Sequence, residues 1–264
     1  MEDFSRYNGE GTKLRRVQLG ILDILIEVDK VCRENNIEYW LDFGTLLGAV
    51  RHGGFIPWDD DVDIAVRYED MDKLKSVMPK SLPSDLFYQD VETDRQYCWP
   101  FSKVRSCKSL VLEEGESDNF EKPHGLYVDI FPHERCFSPY LKRKLDEVYG
   151  RCFRSRRHFL AYTKSDILLA HLIWPFIWCL VKLFRIFSNL IHVKKRMHVF
   201  GAFAFKCFFE EDDVFPLREL DFEGHKFFVP NKYDRYLTSI YGNYMEIPPE
   251  NKRKVHLENV IFYD

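Results

Sequence analysis

The sequence is poor in the signals that assign a protein quickly. Its seven cysteines lie scattered at Cys32, Cys98, Cys107, Cys136, Cys152, Cys179 and Cys207. No C-x₂-C spacing offers a zinc site, and the odd number argues against a disulfide framework, so reduced thiols in a cytoplasmic compartment are expected. The N-terminal stretch MEDFSRYNGEGTKLRR has no apolar core, so no signal peptide is expected there. Positive charge is not in excess: the net charge is −4, which excludes nucleic-acid binding by the chain as a whole. No internal repeat or low-complexity segment is present. The apolar run Ile167–Val181 (ILLAHLIWPFIWCLV) covers 15 residues, whereas a membrane span needs about 20. Pro175 and the early Lys182 also argue against a span.

What is present is a soluble composition, 45% hydrophobic and 30% charged over 264 residues, enough for one large domain or two small ones. Thr12–Asn36 reads as an amphipathic helix capped by Thr12 and ended by Asn35-Asn36. A strand over Ile37–Phe43 leads to a Gly44-Thr45 turn, a short helix over Leu46–Arg51 and a glycine-containing loop. The acids Asp59, Asp60, Asp61 and Asp63 follow. Asp61-Val62-Asp63-Ile64-Ala65-Val66 alternates as a half-buried strand does, so Asp61 and Asp63 share a face. Two carboxylates side by side repel unless a cation lies between them, and such a pair suits Mg²⁺, with Mn²⁺ as the alternative. The plainer alternative is a solvated acidic turn.

Downstream, Tyr68–Met78 reads as a helix stopped by Pro79. Leu86–Val91, Cys98–Cys107 and Ser109–Glu113 read as strands, and Glu113–Lys122 as an acidic loop. Lys103 and Arg105 share a strand face and form either a cationic pair for a diphosphate or two solvated surface charges. Asp129 stands inside the apolar strand His124–Pro132, where a carboxylate is costly unless paired or metal-bound. It becomes the third acid of the site, or else an Asp bonded to a neighbouring loop. From Tyr140 to Phe200 the chain turns basic, with thirteen Lys and Arg against three Asp and Glu. That asymmetry points to an anionic surface partner. Within it, Trp174, Trp178 and the flanking bases suit either a helix in a membrane interface or a buried helix of a helical subdomain. Arg196–Glu210 reads as a further helix, 213–230 as two strands about a Glu-Gly turn, and Lys232–Tyr241 as a short helix.

Gly44-Thr45 followed by Asp61-Val62-Asp63-Ile64 resembles the nucleotidyltransferase superfamily of the DNA polymerase β type. The longer run Trp40-Leu41-Asp42-Phe43-Gly44-Thr45-Leu46-Leu47-Gly48, with Arg51, His52 and Pro57-Trp58-Asp59-Asp60-Asp61-Val62-Asp63-Ile64, resembles the LicD family, which is similar to the fukutin group. The Lys-x-Arg strand, the Gly125…Asp129-Ile130-Phe131-Pro132 segment and the tail with Tyr241-Gly242, Pro248-Pro249 and His256 extend the likeness. It is weakest between Tyr140 and Phe209.

The resemblance implies an α+β fold: a polymerase-β-like nucleotidyltransferase core, a mixed sheet flanked by helices, with a helical insertion. The core is expected over 1–139, the basic, apolar insertion over 140–210 and the completing hairpin and helix over 211–264. It implies a phospho-alcohol transferase, with phosphocholine moved from a CDP-activated donor to a hydroxyl of a lipopolysaccharide, teichoic acid or other glycan, releasing CMP. Asp61, Asp63 and Asp129 would hold the metal, with Asp129 as the general base. Gly44, Thr45, Arg51, Lys103, Arg105 and His256 would bind substrate. The enzyme would be cytoplasmic, peripheral at the inner membrane face through 167–196. The alternatives are a nucleotidyltransferase moving NMP from NTP and a membrane-surface binding protein with a relic site.

Overall fold

A computed structural model describes residues 3–112, 120–157, 162–198, 208–253 and 259–263. The chain opens with α1 (Ser5–Asn8) and α2 (Lys13–Glu34), whose Thr12 cap accepts a hydrogen bond from the Arg15 amide at 3.2 Å. Val17, Ile21, Leu25, Val28 and Cys32 recur at helical spacing and are buried. The helix ends at Asn35-Asn36, as its sequence implies; Asn36 takes φ +50°, a conformation asparagine tolerates.

Next come β1 (Tyr39–Leu41), α3 (Phe43–His52), β2 (Asp63–Arg67), α4 (Met71–Ser81), β3 (Leu86–Gln89), β4 (Ser102–Ser106), β5 (Ser109–Leu112) and β6 (Tyr127–Arg135). The sheet runs β1-β2-β6-β4-β3, with β2 and β6 parallel and the other pairs antiparallel. It is thus a mixed sheet in an α+β fold. Ile64, Val66, Val104, Val128 and Ile130 lie on one face and are fully buried. The same face carries Tyr39, whose hydroxyl bonds Asp29 of α2, so α2 covers it. The opposite face carries the charged residues described below.

After β6 the chain forms α5 (Pro139–Arg157) and α6 (Lys164–Leu190), packed on each other. It returns to the sheet through β7 (Lys195–His198), which continues along β6 beyond the end of β4, and β8 (Phe209–Glu210). Then follow α7 (Glu211–Val214), the hairpin β9 (Arg218–Phe222) and β10 (His225–Val229) turning at Glu223-Gly224, α8 (Tyr233–Tyr241), and β11 (Asn259–Phe262), which pairs with β5.

Several boundaries differ from the sequence reading. Gly44 and Thr45 are not a turn before a helix but part of its first turn, because Asp42 caps α3 one residue before Phe43 and accepts the Phe43 amide at 2.9 Å. The strand expected from Asp61 begins at Asp63. Pro79 does not stop α4. It sits in the last turn, and the helix ends at Ser81 because Leu82 precedes Pro83, which disfavours a helical backbone. The helix expected over Arg196–Glu210 is replaced at its described ends by β7 and β8. The edge of β6 left open by β4 accepts a strand there, and Arg196, 1% exposed, pairs with Glu69 at 3.1 Å and Glu211 at 3.0 Å. Residues 199–207 of that segment, 113–119 of the acidic loop and His256 lie outside the described residues.

The α5–α6 hairpin is fastened to the sheet by a buried charge cluster. Glu134 of β6 binds both Lys142 of α5 and Arg185 of α6, and Lys142 also meets Asp146 at 2.9 Å. Burial pushes the Glu134 carboxyl up, but the charges of Lys142 and Arg185 outweigh it and hold it below its ordinary value. Its stabilising contribution is therefore complete above the ordinary carboxylate range and lost as pH falls through the depressed value. Glu134→Gln leaves two buried cations short of a counter-charge. We expect it to cost about 3–5 kcal/mol, read as a lowered midpoint in urea unfolding. Exchange of α5 and α6 amides should accelerate before that of α2.

Candidate active site

Backbone register sets the site. Asp63 of β2 lies directly across from Asp129 of β6, and Asp129 across from Lys103 of β4, which in turn faces Gln89 of β3. Residues in register on neighbouring strands point to the same face. The Asp42 amide bonds the Asp63 carbonyl at 3.0 Å, so Asp42 continues the row beyond β1. One line of polar side chains thus crosses the sheet on the face opposite α2.

Lys103, 5% exposed, brings its ammonium to 2.8 Å from the Asp129 carboxylate and 3.4 Å from the centre of the Tyr127 ring. Arg105 is 2% exposed and donates to Gln89 at 2.6 Å and the Gly125 carbonyl at 3.0 Å. The reading of these two as solvated surface charges fails, since both are buried. Lys103 belongs to the acidic row, whereas Arg105 is engaged inside the sheet. Arg51 is also occupied: it donates to the carbonyls of Tyr244 at 2.8 Å and Glu246 at 3.2 Å, pinning the segment after α8.

The first turn of α3 meets the acids directly. The Thr45 hydroxyl accepts the Asp63 amide at 2.8 Å, fixing where β2 begins. A Cβ on Gly44 would stand 2.7 Å from the Asp59 carboxylate, so any larger residue there would push that side chain aside. Asp59 in turn hydrogen-bonds Asp61. The site therefore gathers more carboxylates than the three expected. Burial, then Asp61 and Asp60, push the Asp59 carboxyl well up; burial, then Asp61, Asp129, Asp42 and Asp59, do the same to Asp63. The Tyr241 phenol, on a side chain 39% exposed overall, is raised by desolvation and then by the charges of Asp63, Asp42, Asp59 and Asp61.

Asp42, Asp59 and Tyr241 stand in the motifs quoted from the sequence but were given no site role there. For Asp42 a signal existed: a carboxylate between Leu41 and Phe43, in an apolar run, carries the same burial cost that marks Asp129. In the fold Asp42 is fully buried, accepts the Tyr236 hydroxyl at 2.8 Å and lies 3.4 Å from the His133 ring. Tyr241 had no such signal, since only the folded tail brings it here.

Among the described residues, no three His, Cys, Asp or Glu side chains converge as a ready-made metal cage. The donor set nevertheless fits a hard divalent cation in another way. Mg²⁺ takes one or two protein carboxylates and fills its shell with water and phosphate oxygen. Asp61 and Asp63, with Asp59 and Asp129 close to them, supply hard carboxylate oxygens of that kind.

These raised carboxyls stabilise the fold below the ordinary carboxylate range, and that contribution is lost as pH rises through their elevated values. Without a divalent ion, melting temperature should therefore fall between mildly acidic and neutral pH. Asp63→Asn should raise it at pH 7, by about 2–4 °C for each kcal/mol of repulsion relieved. A neutral-pH melt unchanged by Asp63→Asn would disprove this electrostatic account. Gly44→Ala should displace Asp59 and depress turnover well beyond its effect on stability, as measured by paired melting and rate assays.

Residues 36–168 match the family model described as "LicD/FKTN/FKRP, nucleotidyltransferase domain". The chain is 26% identical over 258 residues to the lipopolysaccharide cholinephosphotransferase LicD of Haemophilus influenzae, across 92% of this chain and 95% of that protein. It is 57% identical over 96 residues to the human ribitol 5-phosphate transferase FKRP, a segment that makes up 36% of this chain and 17% of that protein. The matched region contains α3, the loop before β2, and β2, β4 and β6, the segments that carry Asp59, Asp61, Asp63, Lys103 and Asp129. The chain belongs to the LicD family and is a phosphotransferase.

Proposed function

We propose that this protein transfers a phospho-alcohol, phosphocholine in the leading reading, from a CDP-activated donor to a hydroxyl of a cell-surface or lipid-linked glycan, releasing CMP. The observation that carries the reading is the row Asp63–Asp129–Lys103, with Asp61 and Asp59 beside it, on one face of a mixed sheet. On this reading the sheet and α3 form a nucleotidyltransferase-type core. The likeness to LicD over most of both chains favours phosphocholine. The high local identity to FKRP favours ribitol phosphate as the second candidate.

Asp61 and Asp63 are the residues that would hold Mg²⁺, with Mn²⁺ as a substitute. The bound ion supplies positive charge against the donor diphosphate as the leaving phosphate gains charge. The protein's own groups do the rest. Gly44 keeps the first turn of α3 open to close approach by Asp59. Lys103 orients Asp129, which takes the proton of the attacking hydroxyl. Phe43, Phe101 and Phe131 form a chain of ring contacts with centroids 5.7 and 4.6 Å apart. Trp99 stacks on Phe101 at 5.8 Å. Such ring faces attract a quaternary ammonium.

The test is a donor panel of CDP-choline, CDP-ribitol, CDP-glycerol and CTP with Mg²⁺, scored for CMP and pyrophosphate. CMP from one CDP-alcohol is the expected result. Pyrophosphate from CTP would replace the proposal with nucleotidyl transfer. Asp61→Asn and Asp63→Asn should abolish turnover while leaving the fold intact. Asp129→Asn should slow single turnover by orders of magnitude with donor affinity little changed; normal rates would remove it from the proton transfer. If choline is the group moved, Trp99→Ala should raise KM for CDP-choline about fivefold to tenfold, as expected for a cation–π contact of roughly 1 kcal/mol.

A further inference from the structure

Helix α6 spans 27 residues, Lys164–Leu190, and is long and apolar enough by length and composition to cross a membrane. The sequence-based argument that the run is too short therefore fails, because the helix continues through Pro175 and past Lys182. The alternative of a buried subdomain helix fails too: only 17% of its most apolar stretch is buried.

The helix has three stripes. Ala170, Val181, Phe184 and Ser188 are buried and pack toward the body of the protein. About 120° away, at spacings of three, four and seven residues, runs a stripe of Leu168, Leu172, Phe176, Leu180, Leu183 and Leu190. These are 49–73% exposed, Phe176 the most. The third stripe is Lys164, His171, Trp178, Lys182 and Asn189, with the Lys182 ammonium 3.7 Å over the Trp178 ring. The outward half of α6 is thus itself amphipathic along about 40 Å.

From this we infer that α6 is a docking surface for an anionic lipid bilayer, lying in the plane of the interface with its leucine–phenylalanine stripe in the acyl region. Charge selects this occupant. The segment from Tyr140 to Phe200 carries thirteen Lys and Arg against three Asp and Glu in a net acidic chain, and with Lys142, Arg185 and Arg196 set aside in ion pairs at the sheet the rest still leaves positive charge in excess. Lys182 and Lys164 border the apolar stripe. A Trp beside a Lys at the boundary of an apolar face suits the headgroup layer.

A span is disfavoured by the fold. The Arg185–Glu134 pair ties α6 to β6, and His171 and Lys182 would be carried into the hydrocarbon. The inference does not depend on the reaction proposed above.

The test is flotation of the full chain with phosphatidylcholine vesicles containing 0 or 30% phosphatidylglycerol, at low and high salt. Each base near an anionic leaflet multiplies partitioning about fivefold, and salt screens the attraction. Flotation should require phosphatidylglycerol, fall at least tenfold at high salt, and reverse in alkaline carbonate. Trp178 should be quenched by lipids brominated near the headgroup more than by those brominated deep in the chain. Phe176→Glu with Leu183→Glu, both at exposed positions, should abolish flotation while the melting temperature stays unchanged.

Three results would overturn the inference. Failure of the wild type to float at low salt would exclude lipid. Carbonate-resistant binding would show a span. A dimer in light scattering that the double variant dissolves, without vesicle binding by the wild type, would assign the face to a second copy of the chain.

Discussion

Carboxylates crowded on one face of a sheet are the constraint to which the rest of this structure answers. Asp42, Asp63 and Asp129 are placed there by hydrogen-bond register, and Asp59 and Asp61 are added by the loop before β2. Backbone ladders leave no freedom to spread them. The protein offsets part of the repulsion with Lys103 and with the hydroxyl of Tyr236. Burial first, and then the neighbouring acids, leave the Asp59 and Asp63 carboxyls raised. The opposite face bears no such load: Val104, Val128, Ile64 and Ile130 are ordinary core beneath α2.

Period-two alternation made that division legible before any coordinates. Asp63 between Val62 and Ile64, and Asp129 between Val128 and Ile130, read as charges on the face opposite the apolar one, with a solvated turn or a loop-bonded Asp as the alternatives. The same reasoning placed Lys103 and Arg105 on one face but could not separate their fates. Arg105 turns to Gln89 and Gly125, groups that only strand pairing brings near. Thr45 was legible as a site residue but not as a clamp, since its hydroxyl holds an amide eighteen positions away. Helix ends were read well where a cap decides them, as at Thr12, and poorly where tertiary pairing does, as at Arg196. There aromatic spacing fits either period, and the open edge of β6 decides.

The α5–α6 hairpin answers a second version of the charge problem. A strand that leaves the core with Glu134 buried needs cations, and α5 and α6 each deliver one. Removing Lys142 and Arg185 from solvent is costly, and an apolar cluster of similar volume would serve stability as well or better. What the pairing adds is position. It fixes the rotation of α6 about its own axis, and that rotation decides which stripe faces outward. Without it, only Ala170, Val181, Phe184 and Ser188 distinguish the packed stripe from the adjacent leucine stripe.

That positional argument links the two functional surfaces. Asp129 and Glu134 lie on the same strand, separated by about 17 Å of extended chain. One end of β6 therefore holds the acid set across from Asp63, and the other holds the helix whose outward stripe we assign to lipid. A rigid strand keeps the distance between them constant, whereas a loop would let it vary. If the acceptor is carried on a lipid, a docked α6 sets the height of the site above the bilayer and limits how far the acceptor must reach. The buried Glu134 cluster is then a spacer as well as a fastening, because it stands on the same strand as Asp129.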